Sequence, residues 1–228
     1  TSAFTTQLMT HVGYTAINGS ASSDSIDGPV GSQFLSGGTG DDTIVAHSNG
    51  SQVNGSYLIG GRGADSLVGG ASADTYVYKL GDGNDTISDY GSSSSHLDRL
   101  IFTDVNASAA KFSQNAGDDL VITLANGEAI TITDHFLSSS YDMEKIQFAD
   151  GTVLDAQGIR DKTVSDMKVT GTVIGSIYAE TYRHALGDGS YAIKDIGATS
   201  VDDRLILTGV NASTAKFVQN AGQDLVIT

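Results

Sequence analysis

The chain has 228 residues, a formal net charge of −15 and a pI of about 4.3, and it contains no cysteine. The negative charge argues against binding to nucleic acid or to an anionic membrane surface, because these partners are also negatively charged. The absence of cysteine excludes disulfides and thiol catalysis. No run of about 18 apolar residues occurs in the sequence, so we expect no membrane insertion.

The choice of acidic residue and the glycine content both favour a turn-rich chain. Of the 27 acidic residues only three are glutamates, namely Glu128, Glu144 and Glu180. Aspartate suits turns because its short side chain reaches the local backbone or a metal ion. The 28 glycines and the single proline fit tight glycine turns better than a proline-rich linker.

After a lead-in at residues 1–18, a nine-residue pattern, Gly-Gly-x-Gly-x-Asp-x-apolar-x, occurs twice without a mismatch. The two copies are GGTGDDTIV at 37–45 and GGRGADSLV at 60–68. Weaker copies occupy 19–27, 28–36, 51–59, 69–77 and 80–88, with extra residues only at 46–50 and 78–79. In each copy six residues suit a turn and three suit a short strand with its apolar residue facing inward. Residues 19–88 are therefore predicted to form a stacked array, which needs at least about three repeats.

The pattern resembles the repeats-in-toxin (RTX, haemolysin-type) calcium-binding repeats. The resemblance implies an all-β fold, a right-handed parallel β-roll that holds calcium ions (Ca2+) between its turns. Calcium takes about six to eight oxygen ligands, and glycine lets backbone carbonyls approach an ion closely. The residues that we predict to bind calcium are Asp24, Gly37, Gly38, Gly40, Asp42, Gly60, Gly61, Gly63, Asp65, Gly69, Gly70, Asp74, Gly81, Gly83 and Asp85.

Two nonapeptides complete one coil, so alternate copies are predicted to stack on the same side of the roll. One side carries Asp24, Asp42, Asp65 and Asp85. The other side carries Gln33, Ser56 and Asp74. We expect calcium ions along the first side and at most weak binding near Asp74 on the second. The extra residues 46–50 are the weak point, because they can reset the phase.

Residues 89–155 are predicted to form a β-rich capping segment. Short strands are indicated at 100–102, 120–123, 129–132 and 146–148. Asn-Gly and Asp-Gly tips predict hairpins at 125–128 and 149–152. A short helix is predicted at 155–162, with Asp155 as its N-cap, and it opens a linker at 156–174. The order of these elements is similar to that of the segment that often follows RTX repeats.

A second, larger repeat follows the cap. Residues 98–123 recur at 203–228, where 21 of 26 aligned residues are identical. Upstream, Glu180 stands where the first copy has Asp74, and a serine and a tyrosine (Ser176, Tyr191) replace Gly70 and Asp85. These replacements fit a calcium turn poorly. We interpret 175–228 as a degenerate second module, with little or no calcium and an unpaired last strand, in a piece of a longer tandem protein.

No catalytic motif is evident in the sequence. The metalloprotease, nucleophile-elbow, P-loop and dinucleotide-binding patterns are all absent. The five histidines are scattered, and we expect them, including His135 at the start of a loop, to make surface hydrogen bonds. Asp98 beside Arg99 is interpreted as a solvated ion pair or a turn lock. The chain is therefore not expected to be an enzyme.

The RTX resemblance implies type I secretion in a calcium-poor, unfolded state, with folding outside the cell. The first hypothesis is a calcium-binding structural or interaction module of a secreted or cell-surface repetitive protein, of the adhesin or surface-layer type. Its partners would be calcium ions and neighbouring copies or flanking modules of the same protein. The alternative is an accessory domain of a secreted lipase, protease or polysaccharide-modifying enzyme. A carbohydrate-binding module has little support, because the tyrosines form no evident stacking platform.

Overall fold

A computed structural model describes residues 14–47, 55–91, 97–194, 202–219 and 225–227. In these ranges the chain forms strands β1–β20, one α-helix (α1) and two short 3-10 helices at Ala107–Ala109 and Lys168–Thr170. The fold is all-β with parallel sheets, as the sequence predicts. No helix within the described ranges is long and apolar enough to cross a membrane.

The first sheet has seven strands in the order β1-β3-β5-β7-β9-β13-β14. Its odd-numbered strands from β1 to β9 pair in parallel, each with the next. Strand β13 pairs in parallel with β9, and β14 pairs with β13 as an antiparallel hairpin. The strands are β1 (Thr15–Asn18), β3 (Gln33–Thr39), β5 (Tyr57–Arg62), β7 (Thr75–Tyr78), β9 (Arg99–Phe102), β13 (Lys145–Gln147) and β14 (Val153–Asp155). The sheet thus begins within the stretch assigned to the lead-in and ends in the cap.

The second sheet has seven strands in the order β10-β11-β12-β8-β6-β4-β2. The repeat strands pair in parallel, β12 continues this pairing with β8, and β10-β11-β12 is an antiparallel meander. The strands are β2 (Ser25–Val30), β4 (Thr43–His47), β6 (Ser66–Val68), β8 (Asp85–Ser88), β10 (Ala110–Gln114), β11 (Leu120–Leu124) and β12 (Ala129–Ile132). The cap therefore extends both sheets that the repeats begin.

Consecutive strands from β1 to β9 alternate between the two sheets, so each coil adds one strand to each sheet. The inward residues stack in register, with Leu58 aligned between Leu35 and Tyr76 in the first sheet. This matches the prediction of two nonapeptides per coil. The phase survives the extra residues 46–50, part of which lie outside the described ranges, because β5 pairs with β3. That these coils form a right-handed β-roll stays a prediction.

The cap closes the core with aromatic residues and one helix. Phe102 stacks on Phe148 with ring centroids 5.2 Å apart. The hairpins at 125–128 and 149–152 are confirmed, and Gly127 and Gly151 take positive φ at their tips. Helix α1 (Ala156–Met167) is longer than predicted, and the Asp155 carboxylate accepts the Gly158 N–H as its N-cap.

The rest of the chain forms three two-stranded sheets, β15–β17, β16–β18 and β19–β20. Their strands are β15 (Thr172–Ile174), β16 (Thr181–Ala185), β17 (Ala192–Lys194), β18 (Arg204–Thr208), β19 (Phe217–Gln219) and β20 (Leu225–Ile227). Val173 and Tyr182 are buried against Val164 and Met167 of α1. The second module therefore rests on the helix that ends the first one.

Candidate calcium-binding edges

The turns that enter the strands lie along two edges of the coiled region. The Asp24 edge contains the residues at the starts of β2, β4, β6 and β8, namely Asp24, Asp42, Asp65 and Asp85. The Asp74 edge contains the residues at the starts of β3, β5, β7 and β9, namely Gln33, Ser56, Asp74 and Asp98. The structure thus brings together both sets that the sequence assigned to the two sides, and it adds Asp98 to the second.

A ladder of backbone-to-carboxylate hydrogen bonds runs along the Asp24 edge. The Asp24 N–H donates to Asp42 Oδ1 at 2.7 Å, and the Asp42 N–H donates to Asp65 Oδ1 at 2.8 Å. The Asp65 N–H donates to Asp85 Oδ1 at 3.1 Å. Each carboxylate is therefore oriented by the backbone of the preceding coil, and the coil spacing sets the spacing between carboxylates.

In two ladder aspartates the second carboxylate oxygen is buried and accepts no hydrogen bond from the described residues. Asp42 Oδ2 and Asp65 Oδ2 have no hydrogen-bond partner among the described residues. A Cβ at Gly37 would collide with Asp42 Oδ2, and a Cβ at Gly60 would collide with Asp65 Oδ2. The first glycine of each motif therefore keeps open the space beside a free carboxylate oxygen. Oxygen ligands of this kind fit calcium.

The second glycine of the motif has a different role. Gly61 has a φ of 103°, and a Cβ there would collide with the backbone oxygen of Gly38 in the coil before. Only glycine accepts this conformation without strain and permits such a close approach. The backbone oxygens of successive turns are consequently drawn close to the same edge as the carboxylates.

The ladder is electrostatically costly when no cation is bound. Burial raises the pKa of Asp65 to about 6, and the Asp42 charge adds to the increase. Burial also raises the pKa of Asp85 to about 8, with a further contribution from Asp65. Hydrogen bonds from the backbone act in the opposite direction but are outweighed. A divalent cation would favour the charged carboxylates and offset their mutual repulsion.

The Asp74 edge carries a ladder of the same kind, and this ladder continues into the cap. The Ser56 N–H donates to Asp74 Oδ1 at 2.5 Å, the Asp74 N–H to Asp98 Oδ1 at 2.7 Å, and the Asp98 N–H to Glu144 Oε2 at 2.7 Å. Gln33 begins this ladder by donating its N–H to Ser56 Oγ. The repeats and the cap are therefore joined by one continuous set of hydrogen bonds.

Of the two interpretations of Asp98 beside Arg99, the solvated ion pair is wrong, whereas the turn lock agrees with the structure, because Asp98 Oδ1 accepts the Asp74 N–H. Asp98 is only 1% exposed, because it occupies the turn position that Asp74 occupies in the previous coil. A signal was present in the sequence, since Asp98 precedes the inward-facing Leu100 by two residues, as Asp74 precedes Tyr76. Residues 92–97 lack the glycines of the nonapeptide, so Asp98 did not match the pattern.

A further aspartate that the sequence did not indicate lies at this edge. Asp89 directly follows β8 and is 2% exposed. One carboxylate oxygen from each of Asp74, Asp89 and Asp98 lies within 4.8 Å of the others. The edge that we expected to bind calcium weakly therefore has the densest group of buried carboxylates in the described part of the chain.

The second module repeats the ladder with altered chemistry. The Glu180 N–H donates to Asp203 Oδ1 at 2.9 Å, which matches the bond from Asp74 to Asp98. The Ser176 hydroxyl donates to the Glu180 carboxylate, where the first module has the Gly70 N–H donating to Asp74. The backbone pattern is thus retained while the motif glycine is lost, and it stays a prediction that this module binds little or no calcium.

The histidines are not all at the surface. His135 is 1% exposed and its Nδ1 accepts the Met143 N–H at 3.0 Å, so the expectation of a surface hydrogen bond is wrong for this residue. Burial lowers the pKa of His135 to about 3. His47 is exposed and contacts Asp27. His11 and His96 lie outside the described residues.

One family profile matches the chain, that of the haemolysin-type calcium binding protein related domain, over residues 119–157. This segment contains β11 to β14 and the ladder acceptor Glu144. The nonapeptides lie outside it. No curated protein matches the chain significantly. The cap is therefore similar to a domain of haemolysin-type calcium-binding proteins, and this similarity supports an RTX-like, calcium-binding module.

Proposed function

We propose that the chain is a calcium-binding structural and interaction module of a secreted or cell-surface repetitive protein of the adhesin or surface-layer type. The observation that carries the proposal is the Asp24 edge, where Asp42 and Asp65 each have a buried carboxylate oxygen without a hydrogen-bond partner among the described residues. None of the ion pairs in the described ranges includes an aspartate of the Asp24 edge, so no Lys or Arg side chain there forms an ion pair with these carboxylates. Calcium supplies both the positive charge and the preference for oxygen ligands.

Calcium binding would act as a folding switch. Asp42, Asp65 and Asp85 would hold ions together with the backbone carbonyls of the glycine turns. In the absence of calcium the ladder carboxylates repel one another, so the binding free energy becomes folding free energy. A chain of this kind stays unfolded at the low calcium concentration inside a cell, which suits type I secretion. It then folds at the millimolar calcium found outside.

The repeated architecture favours a role in assembly over a role in catalysis. The second module reproduces the ladder bond of the first and extends the chain beyond the first core. Modules that repeat in this way build long structures in which each unit contacts its neighbours. Flanking modules or neighbouring copies of the same protein are therefore the proposed partners.

The test is a calcium titration of the purified chain by calorimetry, combined with circular dichroism and small-angle scattering. After exhaustive chelation we expect loss of most of the β-signal and a larger radius of gyration, because the coiled region loses its ions. Millimolar calcium should restore both. Magnesium at the same concentration is the control, since its small size and strict octahedral geometry suit a stack of shared carbonyls poorly. An unchanged spectrum and radius after chelation would contradict the proposal.

A further inference from the structure

Helix α1 belongs to the hydrophobic cores of both modules. Its residue Ile159 packs in the core that the coils share with the cap. Further along the helix, Val164 and Met167 pack against Val173 and Tyr182 of the second module. The position of this one helix therefore affects the packing of both modules.

The cap holds α1 beside β10, an end strand of the second sheet. The Phe112 N–H donates to Asp166 Oδ2 at 2.9 Å, and the Gln114 N–H donates to the Met167 sulfur at 3.4 Å. Lys162 pairs with Asp166 at 2.9 Å and lies over the Phe112 ring, 5.1 Å from its centroid. The place of the helix thus depends on a folded cap.

A second set of contacts, the clasp, joins the cap directly to the second module. It consists of Asp142 in the cap, Arg160 in α1 and Tyr178 in the turn before β16. The Tyr178 hydroxyl donates to Asp142 Oδ1 at 3.0 Å, and the Arg160 guanidinium lies 4.7 Å from the centroid of the Tyr178 ring. Arg160 also pairs with Asp142 at 3.8 Å, with the two side chains only 15% and 10% exposed. Such contacts gain strength where little water surrounds them.

Tyr178 distinguishes the second module from the first. In the alignment that places Glu180 on Asp74, Tyr178 falls on Ser72 of the first module. Ser72 is fully buried, whereas the Tyr178 side chain reaches the cap of the preceding module. The tyrosine at this position therefore suits a turn that docks on another module.

The docked coil satisfies its turn carboxylate with hydroxyl groups. Glu180 Oε1 accepts the Ser176 hydroxyl, and Glu180 Oε2 accepts the Tyr182 hydroxyl at 3.4 Å. On the Asp24 edge, by contrast, Asp42 and Asp65 each have a buried oxygen without a partner among the described residues. The feature that favours a cation in the first module is thus replaced by protein donors at Glu180.

We propose that the second module folds by docking on the first through α1 and the clasp, so that calcium bound by the first module orders the second without binding to it. When the first module unfolds, the cap no longer holds α1, and the docking surface is lost. The coupling free energy between the ions and the second module is then carried by α1 and the clasp. This inference rests on the proposed function, because it requires that calcium folds the first module.

Hydrogen exchange on the full chain, with and without calcium, tests the coupling. In saturating calcium we expect protection in β4 and β6 of the first module and in β15 and β16 of the second. Chelation should remove the protection from all four strands. If β4 and β6 lose protection while β15 and β16 keep it, the inference is overturned and the proposed function stands. If β4 and β6 themselves stay protected, the proposed function is contradicted, and this inference with it.

Variants of Tyr178 separate docking from local calcium binding. Tyr178→Ser introduces the residue of the first module and removes both the ring contact with Arg160 and the bond to Asp142. In saturating calcium we expect about tenfold faster exchange in β15 and β16, the order of effect for a cation–π contact and a hydrogen bond to a charged group. Exchange in β4 and β6 and the number of bound ions, counted by calorimetry, should stay the same. Tyr178→Phe keeps the ring and should have a smaller effect.

Tyr90→Ser is the matched control, because Tyr90 is a cap tyrosine outside the clasp and is 55% exposed. It should leave exchange in β15 and β16 at the wild-type rate. Wild-type exchange in Tyr178→Ser would overturn the inference, since the clasp would then not hold the second module. A lower ion count in Tyr178→Ser would also overturn it, since the second module would then bind calcium itself.

Discussion

The ladder aspartates use their two carboxylate oxygens differently. In Asp65, Oδ1 accepts the Asp42 N–H of the coil before, whereas Oδ2 is buried beside Gly60 without a partner among the described residues. One oxygen thus stabilises the stacking of coils, and the other is available to an ion. An asparagine keeps the first role and weakens the second, while an alanine removes both.

Replacing Asp65 by Ala should therefore disrupt two adjacent calcium sites. Asp65 lies between Asp42 and Asp85 in the ladder. Its carboxylate therefore contributes both to the predicted site shared with Asp42 and to the predicted site shared with Asp85. We expect calorimetry to show fewer bound ions and a higher midpoint of the calcium-induced folding transition monitored by circular dichroism.

Gln33→Ala is the matched control from the Asp74 edge. Gln33 is fully buried at the start of that ladder, so its truncation should lower stability by leaving a cavity. It should leave the number of bound ions almost unchanged, because Gln33 lies at the end away from the carboxylates. Equal loss of calcium in the two variants would show that the two edges do not differ.

His135 should make the calcium-loaded protein sensitive to acid. Its pKa is about 3 in the folded protein, against an ordinary value of 6.5, because burial opposes the charge and Arg160 adds repulsion. Between these pH values the unfolded chain binds a proton that the folded protein excludes. Stability should therefore fall as pH decreases from 6.5 towards 3, by about 1.4 kcal/mol per pH unit for a single group.

The measurement is urea unfolding in saturating calcium at several pH values between 7 and about 5, above the range where most carboxylates titrate. His135→Asn is the control, since its side-chain oxygen can accept the Met143 N–H but does not titrate. We expect the variant to show a shallower pH dependence than the wild type. Parallel pH profiles for the two proteins would exclude His135 as the source.

Among the elements, helix α1 connects the two modules and depends on the residue that precedes it, its N-cap Asp155. The Asp155 carboxylate accepts the Gly158 N–H at 2.8 Å, one of the four N–H groups that a helix start leaves unpaired. Removal of such a cap costs about 1 kcal/mol. Asp155→Ala should therefore lower the free energy of unfolding by about this amount in urea titrations.

Asp161→Ala on the same helix is the matched control. Asp161 is exposed and accepts only the Gln157 side-chain amide one turn earlier, an interaction of small energetic value. Its replacement should change stability much less than loss of the cap. If both variants are equally stable, the capping bond contributes nothing measurable.

At the scale of the whole molecule, the second module leaves apolar residues exposed whose counterparts in the first module are buried. Phe112 is 2% exposed in the first module, whereas its repeat counterpart Phe217 is 60% exposed. Strand β11 is paired on both sides, by β10 and β12, while in the described ranges β20 pairs only with β19. A flanking module or a neighbouring copy that adds a strand would bury this edge.

Hydrogen exchange on the dilute monomer in saturating calcium checks this expectation. We expect faster exchange at Leu225–Ile227 than at Leu120–Ile122, the corresponding residues of the first copy. Raising the protein concentration, or adding a flanking module, should slow exchange at the first segment only. Equally slow exchange at both segments in the monomer would show that the second module is self-sufficient.

Much of the coiled region follows from local sequence alone. The nonapeptide period fixes where turns and strands alternate, because glycine conformations and an inward apolar residue are required at set positions. The partition of Asp24, Asp42, Asp65 and Asp85 from Gln33, Ser56 and Asp74 follows from this period, and the strand order agrees with it. The hairpin tips of the cap likewise depend on local turn chemistry.

Contacts between segments distant in sequence were decided only by the tertiary structure. Asp89 and Asp98 become partners of Asp74 because parallel stacking brings consecutive chain passes together, and no local pattern marks that meeting. Helix α1 extends to Met167 because Val173 and Tyr182 bury its last turn, which outweighs its weak periodicity. The sequence by itself thus determined the repeat and the oxygen-rich turns that predict calcium binding, whereas burial across separate segments decided which carboxylates come together and where the cap joins the coils.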